Sequence, residues 1–292
     1  MQTHTVDTPH GRLAFVDRGG PGPAVLFVHG NSSCKAIFAR QLDSDLAARH
    51  RLVAFDLPGH GESSNAPEPE KTYSLHGFAD AAMALLAALR IERAIVVGWS
   101  LGGHIALEMM ARWPGCIAAW ITGTPPAGAN DLNEAFLASP HMELTFKEVF
   151  SADEARAFAQ EAVGARVKLE PWMLEACRRA DGRFRPAMLA SVLAGHDLDG
   201  REIAASSPLP LAVVSGELDP FVNNAYLQSL RYRNLWDGVV HVLEGLAHTP
   251  FWEAPSLMNP LLARFLAEVS PSAAQSSSAP QAGSTGTPTG VR

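Results

Sequence analysis

Residues 94–103 read AIVVGWSLGG, and residues 101–113 continue as LGGHIALEMMARW before Pro114-Gly115. The first six residues form a continuous apolar run, as a strand buried on both faces should. The stretch from Leu101 onward carries apolar residues at helical spacing and stops at the proline–glycine pair. Gly98-Trp99-Ser100-Leu101-Gly102 between them matches G-x-S-x-G. The bare pattern arises by chance in roughly one chain in ten of this length. Its setting, directly after a strand and opening a helix, is the one a nucleophile-bearing turn requires. The glycines let the chain fold sharply and let the helix approach the strand. Such a turn pushes Ser100 Oγ outward, with any oxyanion facing the free N–H groups of the helix N-terminus. The competing role for Ser100 is a plain helix N-cap.

Outward from this turn the pattern repeats. Strands are predicted at 12–17 (RLAFVD), 24–29 (AVLFVH), 52–56 (LVAFD), 117–122, 211–215 (LAVVS) and 239–243, and helices at 36–49, 73–90 and 256–269. This alternation demands crossover connections, hence a mostly parallel sheet with helices on both faces. Ligand sites in such sheets sit at the carboxyl ends of the strands. Between 122 and 211 the alternation stops. Helices are predicted at 130–138, 153–163, 171–180 and 184–194, read as a helical cap over the strand ends in preference to extra crossover helices.

Each predicted strand end carries polar residues. Asp219 follows strand 211–215 within SGELDP, and His248 follows strand 239–243 within GLAH. With Ser100 they stand in the order nucleophile, acid, histidine expected on this architecture. A serine needs such a base and an orienting acid. Glu217, two residues nearer the strand, is the rival to Asp219. After strand 24–29, His29-Gly30-Asn31 should offer the Asn31 N–H, aided by its side chain, to pair with the Leu101 N–H as an oxyanion hole. His29 reads as structural and Cys34 as buried filler. Asp56 and His60, in DLPGHGESS (56–64), read as turn-stabilising groups.

Composition narrows the function. The chain has 292 residues, 47% apolar and 18% charged, with 23 basic against 30 acidic residues and a net charge of −7. That length can bury a large core without disulfide or metal staples. Mild acidity without a basic cluster argues against nucleic acid. No apolar run approaches a membrane span, and the start of the chain, with His4, Asp7, His10 and Arg12, has no apolar leader. Three widely spaced cysteines fit a reducing compartment. A cytoplasmic protein with a small-molecule partner is the expectation. The eleven histidines form no metal motif and no nucleotide-binding glycine motif occurs, so neither metal nor cofactor is implied. Residues 270–292, rich in Ser, Ala, Gly, Thr and Pro, read as a disordered tail.

From about residue 8 to 269 the chain resembles the α/β-hydrolase superfamily, through FVHGNSS, DLPGHGESS, GWSLGGHIALEM, SGELDPFV and AHTPFWEAP. HGNSSCKAIFARQL, GWSLGGHIALEMMARWP with ITGTPP, and the stretch from NLWDG to AHTPFWEAP are similar to the quorum-quenching N-acyl-homoserine-lactone hydrolases of that fold. The resemblance implies an α/β fold with a mostly parallel eight-stranded sheet. One core is made of 1–124 and 209–269, interrupted by a helical cap at 125–208. It also implies a metal-free serine lactonase that works through an acyl-enzyme, with Ser100 as nucleophile, His248 as base, Asp219 as orienting acid and Asn31 and Leu101 at the oxyanion. Two positions depart from such relatives. They can carry Glu where Asp219 stands, and a cap tyrosine where Phe158 falls; the three tyrosines here are Tyr73, Tyr226 and Tyr232. Among the cap residues, Phe136, Met142, Leu144, Phe146, Phe150, Phe158, Trp172, Met173 and Met188 are candidates to line an acyl tunnel, with at least half expected to pack helices instead. Gly30, Trp99 and Phe221 are the substrate-binding candidates by position. A carboxylesterase or carbon–carbon bond hydrolase could use the same triad, and a hydrolase-fold ligand receptor is the non-enzymatic alternative. Oligomeric state is not legible.

Overall fold

The computed structural model describes residues 2–139 and 141–270. The segment read above as a tail lies, from 271 onward, outside the described residues. Eight strands form one sheet: β1 (His4–Thr8), β2 (Gly11–Asp17), β3 (Ala24–Val28), β4 (Arg51–Phe55), β5 (Ala94–Trp99), β6 (Cys116–Thr122), β7 (Leu211–Gly216) and β8 (His241–Leu243). Their order is β1-β2-β4-β3-β5-β6-β7-β8. β2 runs antiparallel to both β1 and β4, and the other neighbours are parallel. Strands β3 and β5 are buried at every residue, which is why both read as unbroken apolar runs. The first strand was not predicted. HTVDT is polar and mostly exposed, and it forms because the turn at Gly11 (φ +104°) folds it back on β2.

The longer helices are α1 (Leu75–Ala88), α2 (Leu101–Arg112), α3 (Ala152–Val163), α4 (Pro171–Arg179), α5 (Phe184–Leu193), α6 (Gly200–Ser206) and α7 (Pro255–Val269). Two apolar clusters bury the two faces of the sheet. One gathers Leu26, Val96, Phe78 and Ile105 with Phe184 and Met188 of α5. The other gathers Phe27, Val97, Trp120 and Phe265. Helices α3 to α6 fall between β6 and β7, and α5 shares the core of the sheet.

Two helix predictions need correction, and one helix was not predicted. The single helix expected at 36–49 is broken into Lys35–Phe38, Ala39–Leu42 and Asp45–Ala48. Ser44 is the cause: its hydroxyl donates to Gln41 O and accepts from Leu46 N–H, starting a new turn. The helix expected at 130–138 survives as one turn, Leu132–Ala135. Phe136 instead bridges Val222, and Leu137 N–H donates to Phe221 O, so the loop after β7 captures this segment. Helix α6 was missed, although Asp199 caps it through the N–H groups of Arg201 and Glu202.

Candidate functional site

Ser100 sits between β5 and α2 at φ 54°, ψ −120°, a left-handed conformation that costs a non-glycine residue about 1–3 kcal/mol. The surroundings hold it there. Ser100 N–H donates to Thr122 O at 2.9 Å, and Thr124 Oγ1 donates to Ser100 O at 2.9 Å. The flanking glycines have steric reasons. A Cβ on Gly98 would stand 2.1 Å from Gly102 O, and one on Gly102 would stand 2.0 Å from Val28 O. Ser100 makes no side-chain cap to α2, so the plain N-cap role does not describe its hydroxyl.

Asp219 and His248 meet, as Glu217 and His248 do not. Asp219 Oδ2 lies 2.7 Å from His248 Nδ1. Its other oxygen accepts from Phe221 N–H at 2.9 Å and Val222 N–H at 3.1 Å. Glu217 is exposed and accepts from Gly245 N–H at 2.9 Å. An ionised carboxylate only accepts, so the Nδ1 proton belongs to His248 and its Nε2 is left with a lone pair. Trp99 Nε1 donates to His248 O at 2.9 Å, and Phe221 packs edge-on against the imidazole with ring centroids 4.9 Å apart.

Sequence reasoning missed two residues that frame this histidine. Gly123 (φ +58°) lies beneath the pair, and a Cβ there would come within 2.7 Å of His248 Nδ1. The signal was present as a glycine directly after β6. Glu253 accepts from Ala247 N–H at 3.0 Å and Thr249 N–H at 3.2 Å, clamping both sides of His248. Burial, and then the nearby Asp219 charge, pushes the Glu253 carboxyl above its usual range.

The loop after β3 is held from another direction. Asn31 Nδ2 donates to Thr145 O at 3.0 Å, and Asn31 Oδ1 accepts from Ser32 Oγ at 2.6 Å. The side-chain oxygen and one amide hydrogen are thus engaged within the protein, and the aid expected from this side chain to the Asn31 N–H would fall to its other amide hydrogen. Among the described residues, neither the Asn31 nor the Leu101 N–H donates to a backbone carbonyl outside the regular elements. Ser32 Oγ in turn accepts from Arg185 Nε at 3.1 Å and Nη2 at 2.7 Å. Arg185 is buried, with its guanidinium 3.9 Å from the Phe150 ring centroid, and burial pushes its pKa down to about 10. Nothing in the local sequence pattern distinguishes it from a surface arginine.

Two cavities open on Ser100. The narrower, about 50 Å³, is lined by Asn31, Trp99, Phe136, Met142, Phe158, Phe221 and His248 among others. The larger, about 540 Å³, is lined by Asn31, Leu101, Phe136, Met142, Phe146 and Met188 together with His104, Leu132, Leu189 and Val192. Gly30 lines neither; its place in the site is spatial, since a Cβ there would stand 3.0 Å from both Ser100 Cβ and the Trp99 ring. Of the nine apolar residues proposed for a tunnel, Leu144, Phe150, Trp172 and Met173 line neither cavity. Leu144 and Phe150 pack with Phe158, and Trp172 meets Trp252 edge-on.

The remaining polar residues at strand ends serve the loops. His29 accepts from Leu57 N–H at 3.0 Å and bonds Gly30 O at 2.8 Å. Burial pushes its pKa down to about 4. Cys34 is pushed up to about 12 by burial and nearby Asp56, which leaves no thiolate nucleophile. Among the described residues no three His, Cys, Asp or Glu side chains group to hold a metal, and no helix is long and apolar enough to cross a membrane.

Comparison with known proteins agrees with this layout. Residues 25–260 match the model of the "Alpha/beta hydrolase family". The crystal structure of N-acyl homoserine lactonase AidH complexed with N-butanoyl homoserine superposes with a TM-score of 0.89 at 39% identity, covering 92% of this chain and 97% of that one. Pimeloyl-[acyl-carrier protein] methyl ester esterase of Aeromonas hydrophila is 30% identical over 86% of this chain and 98% of its own length. The AB hydrolase superfamily protein YisY of Bacillus subtilis is 26% identical over 90% of this chain and 98% of its own.

Proposed function

This chain belongs to the alpha/beta hydrolase family, and we propose that it opens the lactone ring of N-acyl-homoserine lactones through an acyl-enzyme on Ser100. The protein is a hydrolase of ester bonds; lactones as its substrates are our reading. One observation carries it: the asymmetry of the two cavities at Ser100. The space beside His248 is about 50 Å³, and the apolar chamber on the Leu101 side is about 540 Å³. The base must face the leaving oxygen. The leaving alcohol is then small or tethered, while the acyl part has room for a chain. A lactone meets both conditions, because its alkoxide stays attached to the acyl group it leaves. Residues 125–208 act in this reading as a cap, which supplies Phe136, Met142 and Phe158 to the narrow side.

The steps follow from the residues present. His248 Nε2 takes the Ser100 proton as Oγ bonds to the lactone carbonyl carbon. The N–H groups of Asn31 and Leu101 hold the resulting oxyanion. The ring C–O bond then breaks, and His248 returns the proton to the alkoxide. A water, deprotonated by the same nitrogen, attacks the acyl-enzyme. The product is an N-acyl-homoserine with Ser100 regenerated. Asp219 keeps Nδ1 protonated and steadies the imidazolium.

The same asymmetry favours a second reading, a methyl ester of a long acyl chain, in keeping with the Aeromonas relative. The test is a panel on purified protein: N-acyl-homoserine lactones of short and long chain, methyl esters of matched acids, and aryl esters, followed by acid release in weak buffer. Faster turnover of the lactones, with the product re-closing on acidification, is expected. Methyl esters turned over while lactones are inert would replace the proposal with the second reading. Faster turnover of bulky aryl esters than of either would sink both.

A further inference from the structure

The larger chamber has one feature that an acyl chain alone does not explain. His104 lies one helical turn beyond Ser100 on α2 and lines this chamber among Leu132, Phe136, Met188, Leu189 and Val192. Its ring stands 6.2 Å from that of Phe136. Burial alone pushes its pKa down to about 4, with no hydrogen bond or charge to offset it. The imidazole is therefore neutral near pH 7, with one N–H to donate and one nitrogen to accept. A purely hydrocarbon ligand would leave both unmet, and an unmet buried polar group is costly. Of the other polar side chains that line this chamber, Asn133 is exposed, while Asn31 and Thr145 are engaged within the protein. The Asn31 amide bonds Thr145 O and Ser32, and Thr145 Oγ1 lies 3.8 Å from Met142 Sδ.

Resting on the lactonase reading, we infer that His104 selects acyl chains bearing an oxygen at the third carbon, a carbonyl above all, by donating its N–H to that oxygen. The distances agree. Four residues of helix rise about 6 Å from Ser100 to His104. Five bonds of extended chain separate the lactone carbonyl carbon from the third acyl carbon, also about 6 Å. The amide carbonyl, three bonds away, falls short of the imidazole.

Matched pairs test this: octanoyl-, 3-oxo-octanoyl- and 5-oxo-octanoyl-homoserine lactone, with kcat/KM measured for the wild-type enzyme and for His104→Leu. The wild type should prefer the 3-oxo substrate over the unsubstituted one by about three- to tenfold, the value of one neutral hydrogen bond. The 5-oxo substrate should gain no such preference. In His104→Leu the ratio should fall to about one or invert. A ratio near one in the wild type overturns the inference with no variant needed, as does a preference that survives His104→Leu. Lactones hydrolysed without discrimination remove this inference alone. The absence of any lactone hydrolysis removes the reading beneath it as well.

Discussion

Two regions of the molecule hold the same residue types at strand ends and do opposite things with them. After β3 and β4 stand His29, Asp56 and His60; after β7 and β8 stand Asp219 and His248. In the first region every polar atom is consumed inside the protein. His29 bonds Gly30 O and Leu57 N–H, and His60 bonds Pro58 O and Ser32 N–H. Asp56 takes Lys35 N–H and Nζ with one oxygen each, and Glu62 N–H with the second. In the second region Asp219 fills only Nδ1 of its histidine, and the ring borders the same cavity as Ser100. The difference between the scaffold pair and the pair proposed to be catalytic is one nitrogen without a partner, on a ring that borders a cavity, not residue type, burial or order along the chain.

Substitutions at the two sites should therefore separate activity from stability. His248→Ala should lower kcat by about 10⁶-fold, and Asp219→Asn by about 10⁴-fold, because the amide favours the wrong tautomer. Both are read by steady-state kinetics on the best substrate of the panel, and both should leave the protein folded. Near-full activity in either would remove that residue from the triad. Asp56→Ala should do the reverse. It leaves the Lys35 ammonium, 8% exposed, without its buried carboxylate. Breaking a buried pair typically costs about 3–5 kcal/mol. Partner Glu62 is 63% exposed and screened by water, so it recovers little of that. Denaturant unfolding should show the loss, while kcat per folded molecule stays within about twofold. A collapse of kcat in folded Asp56→Ala would mean that the first region touches the reaction.

The contrast also explains what could be read from residues alone. The G-x-S-x-G turn was legible because its glycines answer local sterics, with Gly98 and Gly102 each against a backbone carbonyl. Ser100, Asp219 and His248 were legible because strand ends converge in a parallel sheet whatever the side chains do. Asp219 was preferred to its rival Glu217 from the sequence, but the physical ground for that choice was not visible there, since it lies in the turn that carries Phe221 N–H and Val222 N–H onto Oδ1. Long-range partners were invisible for the same reason. Arg185 reaches Ser32 across 153 residues and Glu253 clamps a loop that only tertiary packing brings to it. The 36–49 helix failed because Ser44 offers the backbone a local alternative that periodicity does not register.

The smallest effect concerns protons rather than turnover. His29 is neutral when folded down to about pH 4, held there by burial, with Asp56 opposing and Lys35 assisting the shift. In the unfolded chain the same imidazole titrates near 6.5. Between these values the unfolded state binds a proton that the folded state refuses, so stability falls as pH drops through this window and is unaffected above it. His29→Gln can keep both hydrogen bonds while removing the titration. Its unfolding midpoint should change less between pH 7 and pH 4 than that of the wild type, and proton uptake on unfolding at pH 5 should fall by about one. The same pH slope in both proteins would show that His29 already carries a charge in its pocket, and the division between spent and unspent imidazoles would then fail at a fully buried member.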